Sequence, residues 1–383
     1  MRVALHTGQL DQAVPGGIGR YVEGLLRHLP EAGVAVERFG GGRWRYEAWH
    51  RFRRPAVRAA GDLVHAPSLA VPAAGRRPLV VTVHDLTFRT HPDCFPPRGR
   101  AFHERGLALT RAEAAAVIVP SEATAGELRA AGFEPARLHV ARHGIDLAPL
   151  NPLEPLDPDF PAASLNPLQH MHPHWQPAEG SMAAAGAGQG GRGTPVLGLE
   201  PRSYVLFVGT VEPRKGIDVL LAAHAALRRQ GHPDLRLVVA GPPGWGETAP
   251  LEGPGVVAPG RIDEATLDAL YRGAAGLAIP SRSEGFGLPA LEAMARGCPV
   301  VASDAGALPE VVGDAGLLVP PGDADALAAA LDRLLTDDAL AASLGAAGHR
   351  RAATFTWSAC VAAHLVAYHA ALGVADGAPA GPS

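Results

Sequence analysis

Two glutamates bracket a glycine-rich turn in Ser283–Val301, which reads S-E-G-F-G-L-P-A-L-E-A-M-A-R-G-C-P-V-V. Glu284, Gly285, Phe286 and Gly287 form the loop, and Pro289 stands where a helix would begin. Its fixed φ suits the first helical position, where its missing N–H has no partner to lose. Leu291, Met294 and Ala295 recur at helical spacing, Gly297 with Pro299 ends the helix, and Val300-Val301 opens a strand. A helix N-terminus offers unpaired N–H groups and the positive end of its dipole, so it favours an anion such as phosphate. Gly285 and Gly287 let backbone approach a ligand closely. Glu284 lies before the helix and Glu292 in its first turns, with seven residues between them. Ionised carboxylates only accept hydrogen bonds, so hydroxyls are their natural partners. A phosphate flanked by two hydroxyl-binding acids describes a nucleotide sugar. The plainer alternative is a strand–loop–helix corner with solvated glutamates.

The stretch resembles the signature of the family-4 retaining glycosyltransferases, which have the GT-B fold: two glutamates at this spacing, G-F-G-L-P between them, then E-A-M-A-R-G-C-P-V. The resemblance implies two Rossmann-like, doubly wound parallel-sheet domains facing across a cleft. It also implies transfer with retention of anomeric configuration by front-face attack, and donor contacts from Glu284, Gly285, Phe286, Gly287, Leu288 and Glu292. In this reading Glu284 orients the hexose hydroxyls and Glu292 grips the ribose.

Three other stretches belong with it. Thr210-Val211-Glu212-Pro213-Arg214-Lys215-Gly216 follows a strand and precedes a helix, where Arg214 as a bidentate fork and Lys215 as a point charge would neutralise a diphosphate. P-R-K-G resembles the family's donor-phosphate site. Pro15-Gly16-Gly17-Ile18-Gly19 lies between a strand and a helical face of Ile18, Val22, Leu25, Leu26 and Leu29. A G-G-x-G is equally a tight packing turn, but the resemblance carries a donor-side role onto Gly16 and Gly17. His84 ends the strand Leu79–Val83 in T-V-H-D, which resembles the family's acceptor-side histidine. Ligands of open α/β sheets bind beyond the carboxyl ends of strands, which is where it falls. The expected catalytic set is His84, Glu284 and Lys215.

The elements that must position these residues alternate strand and helix in both halves. A length of 383 residues predicts two domains plus extras at roughly 150 per domain. The expected divisions are 1–148 on the acceptor side, a Pro/Gly-rich linker with insertion at 149–201, a donor domain at 202–356, a helix at 357–372 crossing back to the first domain, and a disordered tail at 373–383. Residues 258–263 are expected to form a turn whose backbone meets the nucleobase. A net charge of −4 and pI near 6.5 argue against nucleic acid as a partner. Three dispersed cysteines, Cys94, Cys298 and Cys360, fit a reducing cytoplasm and no disulfide framework. Met1–His6 is too short an apolar run for a signal peptide, and no apolar run spans a bilayer, so a soluble or at most peripheral protein is expected. His170, His172 and His174 alternate, but Pro173 splits them and no acid or cysteine adjoins; no metal is expected, and the one co-substrate is a nucleoside-diphosphate sugar. Residues 40–58 interleave arginine and tryptophan. A solvated loop with an amphipathic helix accounts for them, as does contact with an anionic membrane surface or an acceptor's phosphate. The Ala-, Arg- and Gly-rich composition fits a high-GC bacterial source, with envelope or exopolysaccharide assembly by association only.

The acceptor is expected to be a saccharide or a lipid-linked one. A sugar-nucleotide epimerase or hydrolase of the same fold would share the donor features. A non-catalytic carbohydrate-binding scaffold would need none of them for chemistry. A nicotinamide dehydrogenase lacks support, since no G-x-G-x-x-G follows the first strand.

Overall fold

The computed structural model describes residues 1–12, 15–41, 43–146 and 196–374. The chain divides into two compact units, with changes of unit at Gly144/Ile145 and at Phe355/Thr356. The expected histidine triplet, nearly all of the expected linker and most of the expected tail lie outside the described residues.

In the first unit the order is β1 (Arg2–His6), α1 (Gly16–Glu31), β2 (Ala35–Phe39), α2 (Arg43–Phe52), β3 (Leu63–Ala66), β4 (Leu79–Thr82), α3 (Thr87–Thr90), α4 (Pro97–Glu113), β5 (Ala114–Val119), α5 (Glu122–Ala130) and β6 (Leu138–Val140). All its strand pairs are parallel, in the order β2-β1-β3-β4-β5-β6. The inner strands β3 and β4 are buried at every position, as a parallel sheet covered on both faces requires.

The second unit runs β7 (Tyr204–Val208), α6 (Ile217–Arg229), β8 (Arg236–Ala240), β9 (Val256–Gly260), α7 (Glu264–Gly273), β10 (Gly276–Ile279), α8 (Leu288–Ala295), β11 (Val300–Ser303), α9 (Leu308–Val312), β12 (Leu317–Val319), α10 (Ala324–Thr336) and α11 (Asp338–Ala352). Its sheet, again parallel, has the order β12-β11-β10-β7-β8-β9. The chain starts in the middle at β7, builds outward to β9, then returns to β10 on the other side. That reversal is a topological switch point, where the loops after two neighbouring strands diverge and leave a crevice. Finally α12 (Trp357–Leu372) packs on α1 and on β4, β5 and β6 of the first unit.

The structure differs from the sequence reading in three places. Residues 258–260 belong to the edge strand β9, so the turn before α7 covers only 261–263. Val196 and Leu199 form an isolated bridge inside the expected linker, with Leu199 buried. The helix α11 has no counterpart in the expected elements. The stretch Asp338–Leu372 is long and apolar enough by composition to cross a membrane, but it is divided into α11 and α12.

Candidate functional site

β7 and β10 are hydrogen-bonded neighbours at the switch point, so the loops that follow them share its crevice. The first loop carries Arg214 and Lys215, the second Glu284. Two devices fix the first loop. Gly216, at φ +68° in the left-handed region, caps α6, and a Cβ there would lie 2.2 Å from the Pro280 carbonyl oxygen. The Arg282 N–H also donates to the Arg214 carbonyl at 2.8 Å, tying loop to loop.

The side chains then converge. Lys215 Nζ donates to Glu284 Oε1 at 2.6 Å, and Arg214 donates to Glu284 Oε2 at 3.2 Å. The Ser281 hydroxyl donates to Glu284 Oε1 at 2.7 Å. Arg214 also meets Glu212, whose Oε1 lies 2.5 Å from its Nε. Glu284, Lys215 and Glu212 are all buried. Burial works against the Glu284 charge, but Lys215 first and Arg214 second, with the Lys215 and Ser281 hydrogen bonds, outweigh it and hold the carboxyl at about 2. Arg214 thus stands between two buried acids, and Lys215 rests on one of them. The acids orient and balance the two cations, which the sequence does not reveal. Glu212 and Ser281 are missed by sequence reasoning; their one signal is position, immediately before Pro213 and three residues before Glu284.

Gly287, in the left-handed region, is the N-cap of α8, and Pro289 is its second residue. The turn therefore starts the helix one residue earlier than expected. Phe286 is buried in the apolar core at 5.9 Å from Phe355, so its ring packs the protein rather than a ligand surface; Gly285 is buried beside it, and Leu288 is half-buried. Glu292, on α8, is buried and accepts a hydrogen bond from the Tyr271 hydroxyl at 2.8 Å. Arg296 lies 5.8 Å over the Tyr271 ring, and its Nε donates to Asp268 at 2.9 Å. Tyr271 on α7 is a contact that the sequence reading does not single out.

Gly16, Gly17 and His84 belong to the first unit. Gly16 and Gly17 open α1 and are exposed. His84 Nε2 lies 2.8 Å from the Pro67 carbonyl oxygen, which can only accept; the proton is therefore on Nε2 and Nδ1 is the acceptor. Burial, ahead of the opposing effects of Pro67 and Asp85, lowers the His84 pKa and favours this neutral form. Tyr21 packs edge-on against the ring at 5.1 Å.

Behind Tyr21 runs a buried chain whose direction one carbonyl sets. His364 Nδ1 faces the Cys360 oxygen at 2.7 Å and must donate, so Nε2 accepts from the Tyr21 hydroxyl at 2.7 Å. Tyr21 then accepts from Thr82 at 2.8 Å, Thr82 from His65 Nε2 at 2.9 Å, and His65 Nδ1 from Tyr368 at 2.9 Å. The chain begins and ends on α12 and fastens that helix to β3, β4 and α1.

Among the described residues no group of three or more His, Cys, Asp or Glu is placed to hold a metal.

Comparison with known proteins identifies the family and the fold. A model described as Glycosyltransferase Family 4 matches residues 15–149, and one described as Glycosyl transferases group 1 matches residues 202–337. The O-antigen chain mannosyltransferase B of Escherichia coli is 30% identical, the alignment covering 90% of this chain and 82% of that protein. The chain belongs to the family-4 glycosyltransferases. A D-inositol 3-phosphate glycosyltransferase of Salinispora arenicola is 31% identical over 94% of this chain and 75% of its own. Sucrose-phosphate synthase from Thermosynechococcus elongatus superposes with a TM-score of 0.68 at 23% identity, covering 96% of this chain and 98% of that one. Anabaena Alr3699/HepE in complex with UDP-glucose superposes with a TM-score of 0.63 at 20% identity, covering 96% and 99%. The fold of this glycosyltransferase is GT-B, with two parallel six-stranded sheets flanked by helices.

Proposed function

We propose that the chain moves a hexose from a nucleoside-diphosphate sugar to a saccharide or lipid-linked acceptor, with retention of anomeric configuration and without a metal ion. The observation that carries the reading is the Arg214–Lys215–Glu284 cluster at the switch point, beside the N-terminus of α8. Breaking the anomeric bond leaves negative charge on the diphosphate. Arg214, Lys215 and the α8 terminus would stabilise it as fixed donors that need no reorganisation. Glu284, kept ionised, is the acceptor for hexose hydroxyls, and Glu292 for the ribose. His84 would take a hydroxyl at Nδ1 on the acceptor side, and Gly16 and Gly17 would admit ligand to backbone. The acceptor oxygen bonds to the anomeric carbon on the face the diphosphate leaves, and its proton passes to the departing oxygen. Relatives named for mannosyl and inositol phosphate glycosyl transfer support a hexosyl donor and a polyhydroxylated acceptor. Three buried free cysteines are consistent with work in the cytoplasm or at the inner face of a membrane.

The donor is found by thermal shift across nucleotide sugars: one present at 100 times its dissociation constant stabilises by about 2.7 kcal/mol. No shift with any nucleoside-diphosphate sugar would remove the reading. With that donor, proton NMR of the product should show the donor's own anomeric configuration, and EDTA should leave the rate unchanged. An inverted product would end the front-face scheme, and a strict Mn²⁺ or Mg²⁺ requirement the metal-free one. Glu292→Ala should weaken donor binding roughly 10- to 100-fold in calorimetry, the worth of hydrogen bonds to a charged group; unchanged affinity would take the ribose away from Glu292.

A further inference from the structure

We propose that the outward face of α2 is a membrane-binding surface that seats on the anionic headgroups of a lipid bilayer. Trp44 and Phe52 are 64% and 66% exposed, the highest values for large hydrophobic side chains among the described residues. They stand eight residues apart with Ala48 midway, which is one face of a helix and about 12 Å along its axis. Arginines flank this stripe on both sides: the Arg45 guanidinium lies 5.4 Å over the Trp44 ring and that of Arg51 5.7 Å over Phe52.

The charge of the segment picks the partner. Residues 43–58 hold six arginines and one glutamate in a chain whose formal charge is −4; Arg53 is committed to Glu113 and to the Val71 and Pro72 carbonyls, and the other five arginines with the glutamate leave a net +4. That glutamate, Glu47, lies 3.6 Å from Arg105. The opposite face of α2 is already committed: Trp49 is buried, its Nε1 donating to the Pro55 carbonyl at 2.8 Å, and His50 stacks on Phe102 at 4.4 Å. A flat anionic surface needs only the half presented. Aromatic rings at the level of the headgroups between arginines are the pattern of an interfacial helix.

The test uses the full chain and sedimentation with vesicles of phosphatidylcholine, with and without phosphatidylglycerol. The wild type should pellet with the anionic vesicles and far less with the neutral ones. Trp44→Ser/Phe52→Ser should lose at least about tenfold in affinity at an unchanged melting temperature, since both rings are already in water. Arg45→Gln/Arg51→Gln should lose roughly fivefold per arginine and flatten the salt dependence. Wild type that ignores anionic vesicles, or serine variants that bind as well as wild type, would overturn the proposal. A dimer in gel filtration that the serine pair dissociates would overturn it too, and give the face to self-association. No step depends on glycosyl transfer, so vesicle binding and donor chemistry fail separately.

Discussion

Replacing Lys215 by alanine is expected to lower glycosyl transfer by on the order of 10²-fold or more, the usual effect of removing one preorganised donor from a site of developing charge. Lys215 has two jobs in the geometry, and the test has to part them. It is the largest favourable influence on the Glu284 charge and donates to it at 2.6 Å. Its loss leaves that buried carboxylate on Arg214 and Ser281, and removing one member of a buried ion pair costs up to about 3–5 kcal/mol. A drop in rate alone would therefore be ambiguous. Lys215→Ala/Glu284→Gln removes both charges, so its melting temperature should return towards wild type while transfer stays lost. Near-normal turnover in Lys215→Ala would remove the lysine from the phosphate site, and transfer regained in the double variant would show that it only neutralises the glutamate.

The same cluster marks the limit of what a sequence exposes. Types and spacing reveal that Glu284, Arg214 and Lys215 occupy loops at strand ends, because glycine, proline and charge at a strand–helix corner are local signals. That Arg214 and Lys215 meet Glu284, 70 and 69 residues away, is a product of β7 and β10 lying side by side. Helix starts are legible for a like reason: Ser121, Asp263, Asp323 and Thr356 each accept from the N–H three residues on. The helix α11 escapes because its buried positions are Ala341, Leu344, Gly345, Gly348 and Ala352. Its periodicity is one of size rather than hydrophobicity. A Cβ at Gly345 would sit 2.5 Å from the Gly297 carbonyl oxygen, and one at Gly348 3.1 Å from Met294, so small residues are what lets α11 lie against α8. The strand β9 escapes because Val256–Gly260 ends in proline and glycine, residues a sheet accepts at its edge. The Tyr21–His364 bond joins residues 343 apart and leaves no sequence signal.

Acid should unfold the first unit before the second. Burial, the largest cause in each case, lowers His6, His50 and His364 to about 4, with Arg105 and Arg53 adding to the effect at His50. All three are in the first unit and under a tenth exposed. Two of them accept hydrogen bonds that a proton would displace: His50 Nε2 from the Val71 N–H at 3.1 Å, and His364 Nε2 from Tyr21. The folded values lie below the unfolded value of about 6.5. The stability held by keeping these rings neutral is thus complete above that pH, and is lost as pH falls from 6.5 towards 4. At pH 5.5 the loss is about 1.4 kcal/mol per group, or ~4 kcal/mol for three, a large share of a typical 5–15 kcal/mol. His65, His143, His84 and His103 are lowered by burial as well and push the same way. Glu284 in the second unit, with its folded value near 2, contributes stability present above the unfolded carboxylate range and lost only as pH falls from about 4.5 towards 2. Hydrogen exchange read by mass spectrometry, corrected for intrinsic rates, separates the units. Peptides from residues 1–144 and 357–372 should lose protection between pH 6.5 and 5, while those from 204–352 hold. Simultaneous loss in both, or full protection of the first unit down to pH 4.5, would mean that these histidines are not held neutral by the fold.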